Sequence, residues 1–290
     1  MKKIFTIILC AIIALCNVAI VGCGQSNADI KVLLVSVDGL RPDAISQTKY
    51  GKQLMRKSSY SLAAQTIYPS VTLPCHMSMF YGIEAYAHGV LTNEYTPDLD
   101  FLGSGITETL EKSGKSSAMF FDWEPLSALT TTTSTTLHYV SGDDIKDGEE
   151  SNQSSTVTLT NMCINHIKET PTDFTFLYYG MTDSMGHQYD WMSDKYFWAI
   201  EHIFSNLQRL LRILPNNYVV IITSDHGGGY TAKNHGSYGD LDMTIPFFMY
   251  GKGIKKRKEL QDVSILDVAP TVISLLGVEP ESNWVGKCLA

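Results

Sequence analysis

Five short apolar runs constrain the fold of this 290-residue chain more than any other feature. They span residues 30–39, 115–122, 173–183, 217–227 and 245–253. Their apolar residues are continuous rather than alternating, as strands of a sheet that is covered on both faces require. Helical patterns separate several of them. The sequence therefore predicts an α/β fold, a three-layer α/β/α sandwich with a mostly parallel central sheet.

The segments between and after these runs complete the predicted domain. In WAIEHIFSNLQRLLRIL (198–214), apolar residues recur three or four positions apart, as in an amphipathic helix. A second helix is predicted over 264–277, where the final glycine is a common helix stop. Residues 129–160 are rich in Thr, Ser, Asp and Glu, and we interpret them as a polar excursion. It would belong to a single domain spanning 30–290.

The N-terminus has the layout of an export signal. Two lysines precede an apolar run over residues 4–21, and residues 1–22 are therefore predicted to be a signal peptide. The tetrad IVGC, which ends at Cys23, resembles the bacterial lipoprotein signal. A plain signal peptide and a retained membrane anchor remain alternatives to the lipoprotein signal. Each of these three interpretations implies that the rest of the chain is exported. We expect a cell-envelope protein that is lipid-anchored to a membrane at Cys23, with 23–29 as a short linker.

Charge and cysteine content exclude some classes of protein. The formal net charge is −8, which argues against nucleic acid as a stable partner. Beyond the predicted lipidation site the cysteines are Cys75, Cys163 and Cys288, an odd number with no CxxC spacing. The sequence therefore predicts no disulfide framework.

Three of the apolar runs lead into an aspartate, namely Asp38, Asp183 and Asp225. Ligands of open parallel sheets bind beyond the carboxyl ends of the strands. One such aspartate is just as often a turn residue or a helix cap. Three of them, two accompanied by histidines, favour a binding site.

The histidines lie at spacings that suit metal coordination. His187 follows Asp183 by four residues, so one helical turn would place both side chains on one face. His226 directly follows Asp225, and His235 lies in the same loop region. Asp and His together suit zinc, and also manganese or iron. These residues are about enough for two ions roughly 3.5–4 Å apart, which can clamp the attacking and leaving oxygens of an in-line displacement.

The stretch YPSVTLPCHMSMFYG (68–82) contains two possible nucleophiles, Thr72 and Cys75. Pro74 predicts that a short helix begins close to Thr72. Backbone N–H groups and the dipole at a helix N-terminus favour anions, and a metal there would lower the pKa of the threonine hydroxyl. The alternative is that Thr72 only caps the helix.

Seven motifs occur in the order found in the alkaline phosphatase superfamily, and they most resemble its type I phosphodiesterase/nucleotide pyrophosphatase branch. The motifs are VSVDGLRPD, YPSVTLPCH, AYAHGVLTNE, DSMGH, SDHGGG, NHGSYGDLDMTIPFFMYGKGI and ILDVAPTVISLLGVEPESNWVGK. The resemblance runs from about residue 30 to 288 and is weakest over 95–170. It implies a metal-dependent hydrolase of phosphoric ester or anhydride bonds. Two divalent ions, Zn²⁺ in preference to Mn²⁺ or Fe, and a small phosphodiester or nucleotide-type substrate are implied with it.

The resemblance also implies roles for individual residues. Two metal-ligand sets are implied, one formed by Asp183, His187 and His235 and the other by Asp38, Thr72, Asp225 and His226. Thr72 would be the nucleophile. Asn93 falls where the family places an asparagine that hydrogen-bonds a phosphoryl oxygen, and the backbone N–H near Leu73 is expected to assist it. His76 and His88 would support the site without binding metal.

Two departures from the family pattern leave the substrate open. Cys75 stands where the family usually has asparagine. His226 and His235 are also close in sequence, whereas many members carry a large cap insertion before the last histidine. Within the superfamily, a phosphomonoesterase that uses Arg41 and an envelope phosphoryl or phosphoethanolamine transferase are alternatives. From another class, the chain could be an inactive, surface-anchored binding protein, although an intact ligand set argues against it.

Two further hypotheses, in both of which Cys75 would be the catalytic residue, are disfavoured. A sulfatase of this superfamily would need a C-x-P-x-R motif, and neither the proline nor the arginine follows Cys75. A cysteine hydrolase would need a base beside the thiol. The adjacent His76 would point about 100° away from it on a helix.

Overall fold

The computed structural model describes residues 30–94, 103–141 and 148–290. The predicted signal, Cys23 and the linker lie outside the described residues. The strands are β1 (Lys31–Val37), β2 (Ser59–Gln65), β3 (Ser117–Phe121), β4 (Thr136–Tyr139), β5 (Phe174–Tyr179), β6 (Tyr218–Thr223), β7 (Thr244–Gly251) and β8 (Lys258–Glu259). The helices are α1 (Pro42–Ile45), α2 (Lys49–Lys57), α3 (Thr72–Tyr81), α4 (Ala85–His88), α5 (Ile106–Lys112), α6 (Gly148–Glu169), α7 (Met181–Tyr189), α8 (Asp194–Leu211), α9 (Asp240–Met243) and α10 (Val268–Leu275). Within these ranges no helix has the length and apolarity that a membrane span needs.

One sheet of eight strands runs through the described chain in the order β4-β3-β5-β1-β6-β7-β2-β8. The strand β1 pairs in parallel with both β5 and β6, so these three form the centre. Only β7 runs against its neighbours, antiparallel to β6 and β2. The predicted α/β fold with a mostly parallel sheet is confirmed.

Helices cover both faces of this sheet, which explains the continuous apolar strands. Val32 and Leu34 of β1 belong to one buried cluster, together with residues of α3, α5 and α10. Leu33 and Val35 point the other way and pack with residues of α6 and α8. Successive side chains of a strand alternate between faces, so both must be apolar when both faces are covered.

The structure differs from the predicted elements in two places that matter for the site. The run 173–183 is a strand only as far as Tyr179, and Asp183 lies in the first turn of α7. Periodicity cannot distinguish a buried strand from a short buried helix, which is why the prediction missed this boundary. The structure also has three strands, β2, β4 and β8, that the apolar runs did not indicate.

The polar segment 129–160 is more regular than its composition suggests. It contains β4 at the sheet edge and the first part of α6. Within α6, Thr160 is buried, and its hydroxyl bonds the Thr156 carbonyl and the Tyr179 hydroxyl, each at 2.7 Å. Where a helix packs on the core through hydroxyl groups that form hydrogen bonds, those positions are polar in the sequence. They therefore do not contribute to the periodic apolar pattern by which an amphipathic helix is recognised.

Candidate active site

The strand order brings the three predicted aspartates together. Because β1 lies between β5 and β6, Asp38, Asp183 and Asp225 all lie at the carboxyl edge of the central strands. Asp38 and Asp225 are buried, with 2% and 0% exposure. The parallel sheet therefore gathers carboxylates from distant parts of the chain into one site.

The three predicted histidines face these carboxylates. The Nε2 atom of His226 lies 3.3 Å from Asp38 Oδ1 and 3.3 Å from Asp225 Oδ2. The Nε2 atoms of His187 and His235 lie 3.4 and 3.6 Å from the two carboxylate oxygens of Asp183. The rings of His226 and His235 stack, with centroids 3.8 Å apart. The predicted metal ligands thus form one continuous cluster.

Backbone carbonyls fix which nitrogen of each histidine carries the proton. The Nδ1 atoms of His187, His226 and His235 lie 2.8–2.9 Å from the carbonyls of Lys233, Gly227 and Ser70, respectively. A carbonyl can only accept, so each Nδ1 must be the N–H donor. Each Nε2 then presents a lone pair to the carboxylates, as a metal-binding histidine does.

The carboxylates also lack the hydrogen bonds that burial demands. Asp38 Oδ1, Asp183 Oδ1 and Asp225 Oδ2 are buried without a hydrogen-bond partner. Burial raises the pKa of Asp38 well above its usual value, and the charges of Asp225 and Asp183 raise it further. Burial also lowers the pKa of His235 to about 4, so its imidazole is neutral near pH 7. Acceptor atoms that face acceptor atoms need a cation between them, and divalent metal ions fit this donor set.

The donor atoms form two sets that share a residue. One comprises Asp183, His187 and His235, and the other comprises Asp38, Asp183 and His226, with the ligand atoms of each set within 4.8 Å of one another. The first is the set that the resemblance implied. In the second set, Asp183 stands where the resemblance implied Asp225. The Oδ2 atom of Asp225, which has no hydrogen-bond partner, nevertheless lies close to His226 Nε2. The Asp183 carboxylate therefore lies between the two candidate metal positions.

Thr72 lies at the start of a helix but does not cap it. It is the first residue of α3, and Val71 occupies the N-cap position with no side-chain capping bond. The Thr72 hydroxyl oxygen lies 3.2 Å from His226 Nε2. The side chain is nearly buried but lines the same cleft as Asp38 and Asp183. The structure therefore gives no support to a capping role for Thr72.

Cys75 is directed away from the reaction centre. It is fully buried, and its sulfur contacts the Thr66 hydroxyl at 3.2 Å and the Pro69 carbonyl at 3.6 Å. Burial raises the pKa of the Cys75 thiol, so the reactive thiolate is disfavoured. Its neighbour His76 donates from Nδ1 to the Thr72 carbonyl and bonds the Ser36 hydroxyl through Nε2. His76 therefore ties α3 to β1.

The two residues expected to hold the phosphoryl oxygens are bonded to one another. The Leu73 N–H donates to Asn93 Oδ1 at 2.8 Å. The N–H of Leu73 is thus already engaged, which differs from the expectation that it faces substrate. Because a backbone N–H can only donate, this bond shows which end of the Asn93 amide is the oxygen. The NH₂ group of Asn93 therefore remains as a hydrogen-bond donor. Asn93 is exposed and lines the cleft.

Glycines after His226 allow the loop to approach its neighbours closely. A Cβ atom on Gly227 would lie 2.0 Å from the Leu241 carbonyl oxygen, and one on Gly228 would lie 2.1 Å from the Trp191 ring. The N–H groups of both glycines bond carbonyls of α9 at 2.8 Å. Side chains there would push His226 away from the carboxylates.

The cleft contains further residues that the sequence reasoning did not select. It measures about 230 Å³ and is lined by Asp38, Thr72, Asn93, Asp122, Trp123, Ser155, Tyr178, Gly180, Asp183, Ser184, His187 and His235. Tyr178 donates its hydroxyl proton to Asp38 Oδ2 and so orients that carboxylate. Asp122 ends an apolar run just as the other aspartates do, so the signal for it was present in the sequence. Tyr178 lies inside such a run and had no comparable signal.

A family model and a curated relative each match part of this chain. The family model for type I phosphodiesterase / nucleotide pyrophosphatase matches residues 32–240. A 2,3-bisphosphoglycerate-independent phosphoglycerate mutase of Listeria welshimeri is 30% identical over 141 residues, which cover 47% of this chain and 26% of the mutase. The chain thus spans about a quarter of the length of this curated relative.

Several solved structures share the fold at low sequence identity. Murine ectonucleotide pyrophosphatase/phosphodiesterase 5, solved in complex with AMP, has a TM-score of 0.69 at 16% identity and covers 87% of this chain and 96% of its own. A mutant of the alkaline phosphatase PafA has a TM-score of 0.71 at 12% identity, covering 89% and 98%. A 2-O GAG sulfatase has a TM-score of 0.70 at 15% identity, covering 90% and 73%. The common element is the alkaline phosphatase-like fold.

The shared position of Asp183 leads to a test by metal analysis. We expect Asp183→Asn to weaken the binding of both ions by at least about 10-fold, because both ligand sets lose a carboxylate that would bind metal directly. Asp225→Asn should weaken mainly the ion at His226. Metal content per chain, measured after dialysis against a weak chelator, checks this.

The control for this test is Asp190→Asn. Asp190 is exposed at the end of α7 and has a φ of 76°, which asparagine tolerates. Its metal content should equal that of the wild type. Undiminished binding of both ions by the Asp183→Asn protein would contradict the shared site.

Proposed function

The chain belongs to the type I phosphodiesterase/nucleotide pyrophosphatase family, and from this premise we propose that it is a two-metal phosphohydrolase. It would cleave phosphodiester or pyrophosphate bonds through a phosphothreonine at Thr72. The observation that carries the proposal is the position of the Thr72 hydroxyl, which lies 3.2 Å from His226 Nε2 and lines one cleft with Asp38, Asp183, His187 and His235. The candidate nucleophile, the metal ligands that would activate it and the cleft that would hold the substrate therefore lie next to one another.

The ligand sets would hold two divalent ions, for which Zn²⁺ suits the mixture of histidine and carboxylate best. When bound, such ions lower the pKa of a coordinated hydroxyl and neutralise charge on the phosphoryl oxygens. Asp183, His187 and His235 would hold one ion. His226, Asp38 and Asp225 would hold the ion nearest Thr72, with Asp183 shared.

The chain's own groups would then carry out a two-step displacement. Thr72 Oγ1 gives up its proton to water and attacks phosphorus, so that an Oγ–P bond forms. The bond from phosphorus to the leaving oxygen breaks on the opposite side, and the leaving group takes up a proton from water where its basicity requires one. The Asn93 NH₂ group donates to a phosphoryl oxygen where negative charge develops. In the second step water attacks phosphorus, and Thr72 leaves as the alcohol. Tyr178 keeps Asp38 oriented throughout.

A diester suits the described cleft better than a monoester. A phosphomonoester brings an additional negative charge, which such enzymes commonly meet with a cation. No lysine or arginine lines the cleft among the described residues. Arg41 instead forms two hydrogen bonds to Asp43 and one to the Gly228 carbonyl. This engagement argues against the phosphomonoesterase alternative.

The family and the neighbours suggest where a substrate survey should begin. The murine neighbour was solved with AMP, so nucleotide-type diesters and dinucleotides are natural first substrates for this chain. Synthetic diesters and monoesters extend the comparison. Transfer to an added alcohol, measured in the same assays, distinguishes a hydrolase from an envelope transferase.

Replacing the nucleophile tests the proposed reaction. We expect Thr72→Ala to lower kcat for bis-p-nitrophenyl phosphate by at least about 10³-fold, because no other nucleophile replaces the threonine oxygen. Metal content should stay close to that of the wild type. The matched control is Cys75→Ala on the same helix, which should keep most activity. An active Thr72→Ala enzyme would rule out the phosphothreonine.

We further propose that the chain is exported and lipid-anchored at Cys23. The support is the sequence pattern of residues 1–23, together with the position of residue 30 at the start of β1, the opposite end of that strand from Asp38. An anchor on that side would leave the cleft facing away from the membrane. In a bacterial host, Cys23→Ser should move the protein from the detergent-soluble membrane fraction to the soluble fraction. An unchanged distribution, with no incorporation of labelled palmitate by the wild type, would refute lipidation.

A further inference from the structure

A cluster of cations lies at the end of the sheet opposite the cleft. Residues 251–259, GKGIKKRKE, contain five lysine or arginine residues in a chain whose formal net charge is −8. These five lie in β8 and in the connection that joins it to β7, and all of them are exposed. Lys57, the last residue of α2, lines one cavity with two of them. We call this group the basic patch, and its members are Lys57, Lys252, Lys255, Lys256, Arg257 and Lys258.

The basic patch lies at the end of the sheet where β1 begins. Lys31 of β1 pairs with Tyr218 of β6, and Val219 of β6 pairs with Gly251 of β7. Because neighbouring strands are about 4.8 Å apart, the backbone at Gly251 lies about 10 Å from that at Lys31. Asp38 and the cleft lie beyond the other end of β1. The cations are therefore close to the point where the residues before β1 join the domain.

The domain leaves these cations without counter-charges. Among the described residues, no carboxylate lies within ion-pair distance of Lys57, Lys252 or Lys256. The acidic residue of the run is Glu259, at its end. The Lys57 ammonium group instead lies 3.8 Å from the centroid of the Tyr250 ring. Burial lowers the pKa of Lys57 to about 8, because no negative charge offsets its loss of hydration.

A cavity of about 450 Å³ joins the cations to apolar side chains. Its cations are Lys57, Lys252 and Lys256, and its apolar walls come from the end of α8 and from β6 and β7. The walls include Leu211, Leu214, Pro215, Tyr218, Val220 and Tyr250. Ammonium groups beside apolar walls suit a phospholipid, whose phosphate is anionic and whose glycerol and first acyl carbons are less polar. A small inorganic anion would contact the cations alone.

The proposed anchor would hold the basic patch close to a membrane. Ile30 follows Cys23 by seven residues, and an extended chain spans at most about 3.6 Å per residue. The start of β1 would therefore lie within about 25 Å of the lipidated cysteine. A tether of this length keeps the patch on the membrane side of the domain, where anionic headgroups attract lysine and arginine.

We propose that the basic patch docks on anionic phospholipid headgroups, as a second membrane contact beside the lipid anchor, and that its cavity receives one headgroup. The proposal rests on the proposed anchor at Cys23 and is independent of the reaction at Thr72. Docking fixes the orientation of the domain, with the cleft directed away from the membrane surface. Each cation that reaches the surface strengthens the contact by about fivefold.

Chemical labelling of lysines tests this docking. The lipidated protein, purified from a bacterial host, is added to preformed vesicles of phosphatidylcholine, with or without one quarter phosphatidylglycerol. An amine-acylating reagent is then applied, and peptide mass spectrometry gives a labelling rate for each lysine. At about 0.05 M salt we expect Lys252, Lys255 and Lys256 to be labelled at least about fivefold more slowly on the anionic vesicles, because docked ammonium groups are covered. Raising the salt to about 0.5 M should remove this difference, because it screens the charges.

The informative variant is Lys255→Gln/Lys256→Gln. It removes two exposed cations, which together contribute about 25-fold to the contact. The protection of Lys252 and Lys258 on anionic vesicles should therefore be mostly lost. Hydrolysis of diesters should be unchanged, because neither substituted residue lines the cleft.

The matched control is Lys49→Gln/Lys195→Gln. These two exposed lysines lie in the first turns of α2 and α8. Both helices lead into strands that begin near the basic patch, so their first turns lie toward the cleft end of the sheet. The control carries the same change of net charge and should keep the protection of Lys252. In the wild type, Lys195 should be labelled equally on both kinds of vesicle.

Each contrary outcome overturns the proposal in a different way. Equal labelling of the patch on both kinds of vesicle rules out lipid docking and leaves the cations to an acidic protein partner. The same protection by 10 mM inorganic phosphate, without vesicles, identifies a site for free anions instead of lipid. Loss of protection in the control variant attributes the attraction to net charge rather than to the patch. Labelled palmitate on the same protein tests the anchor separately, so failure of the anchor and failure of docking are distinguished.

Discussion

The mutual repulsion of three neighbouring carboxylates, two of them buried and that of Asp183 half-buried, is the constraint on which the rest of this structure depends. Asp38, Asp183 and Asp225 meet because β1 lies between β5 and β6 and because all three strands run in the same direction. Each has a buried oxygen without a hydrogen bond. Such an arrangement is costly in a protein interior unless cations compensate for it. The fold therefore carries a local cost in stability, which divalent ions would offset if they bound between these groups.

The histidines complete the site because the backbone holds them in one protonation state. Carbonyls of two loops, one between β2 and α3 and the other between β6 and α9, accept the Nδ1 protons, which turns every Nε2 lone pair toward the carboxylates. The Thr72 hydroxyl joins the same cluster because His76 anchors the first turn of α3 to β1. Nucleophile and ligands are thus fixed to the central sheet, and preorganisation of this kind stabilises a transition state without rearrangement during the reaction.

Much of the site could be predicted because its residues follow buried strands. Asp38 and Asp225 lie where an apolar run ends, and the spacing of Asp183 and His187 matches one helical turn, which α7 supplies. Asp122 has the same signal but no histidine near it in sequence, so it was not selected. The bond between Leu73 and Asn93 depends on how a loop folds back onto α3, which no local pattern records. The first turns of α6 were not predicted because buried threonine hydroxyls, at Thr156 and Thr160, take part in its packing beside the apolar residues.

We infer that the carboxylate–histidine cluster, when it holds metal ions, makes Thr72 a nucleophile. Rapid-quench mass spectrometry of the metal-loaded protein, mixed with bis-p-nitrophenyl phosphate and stopped in acid during turnover, tests this claim most directly. The account predicts one phosphoryl group with its remaining ester on the peptide that contains Thr72, present during turnover and absent once substrate is exhausted. Steady turnover with no modification of that peptide, or with the modification on another residue, would contradict it.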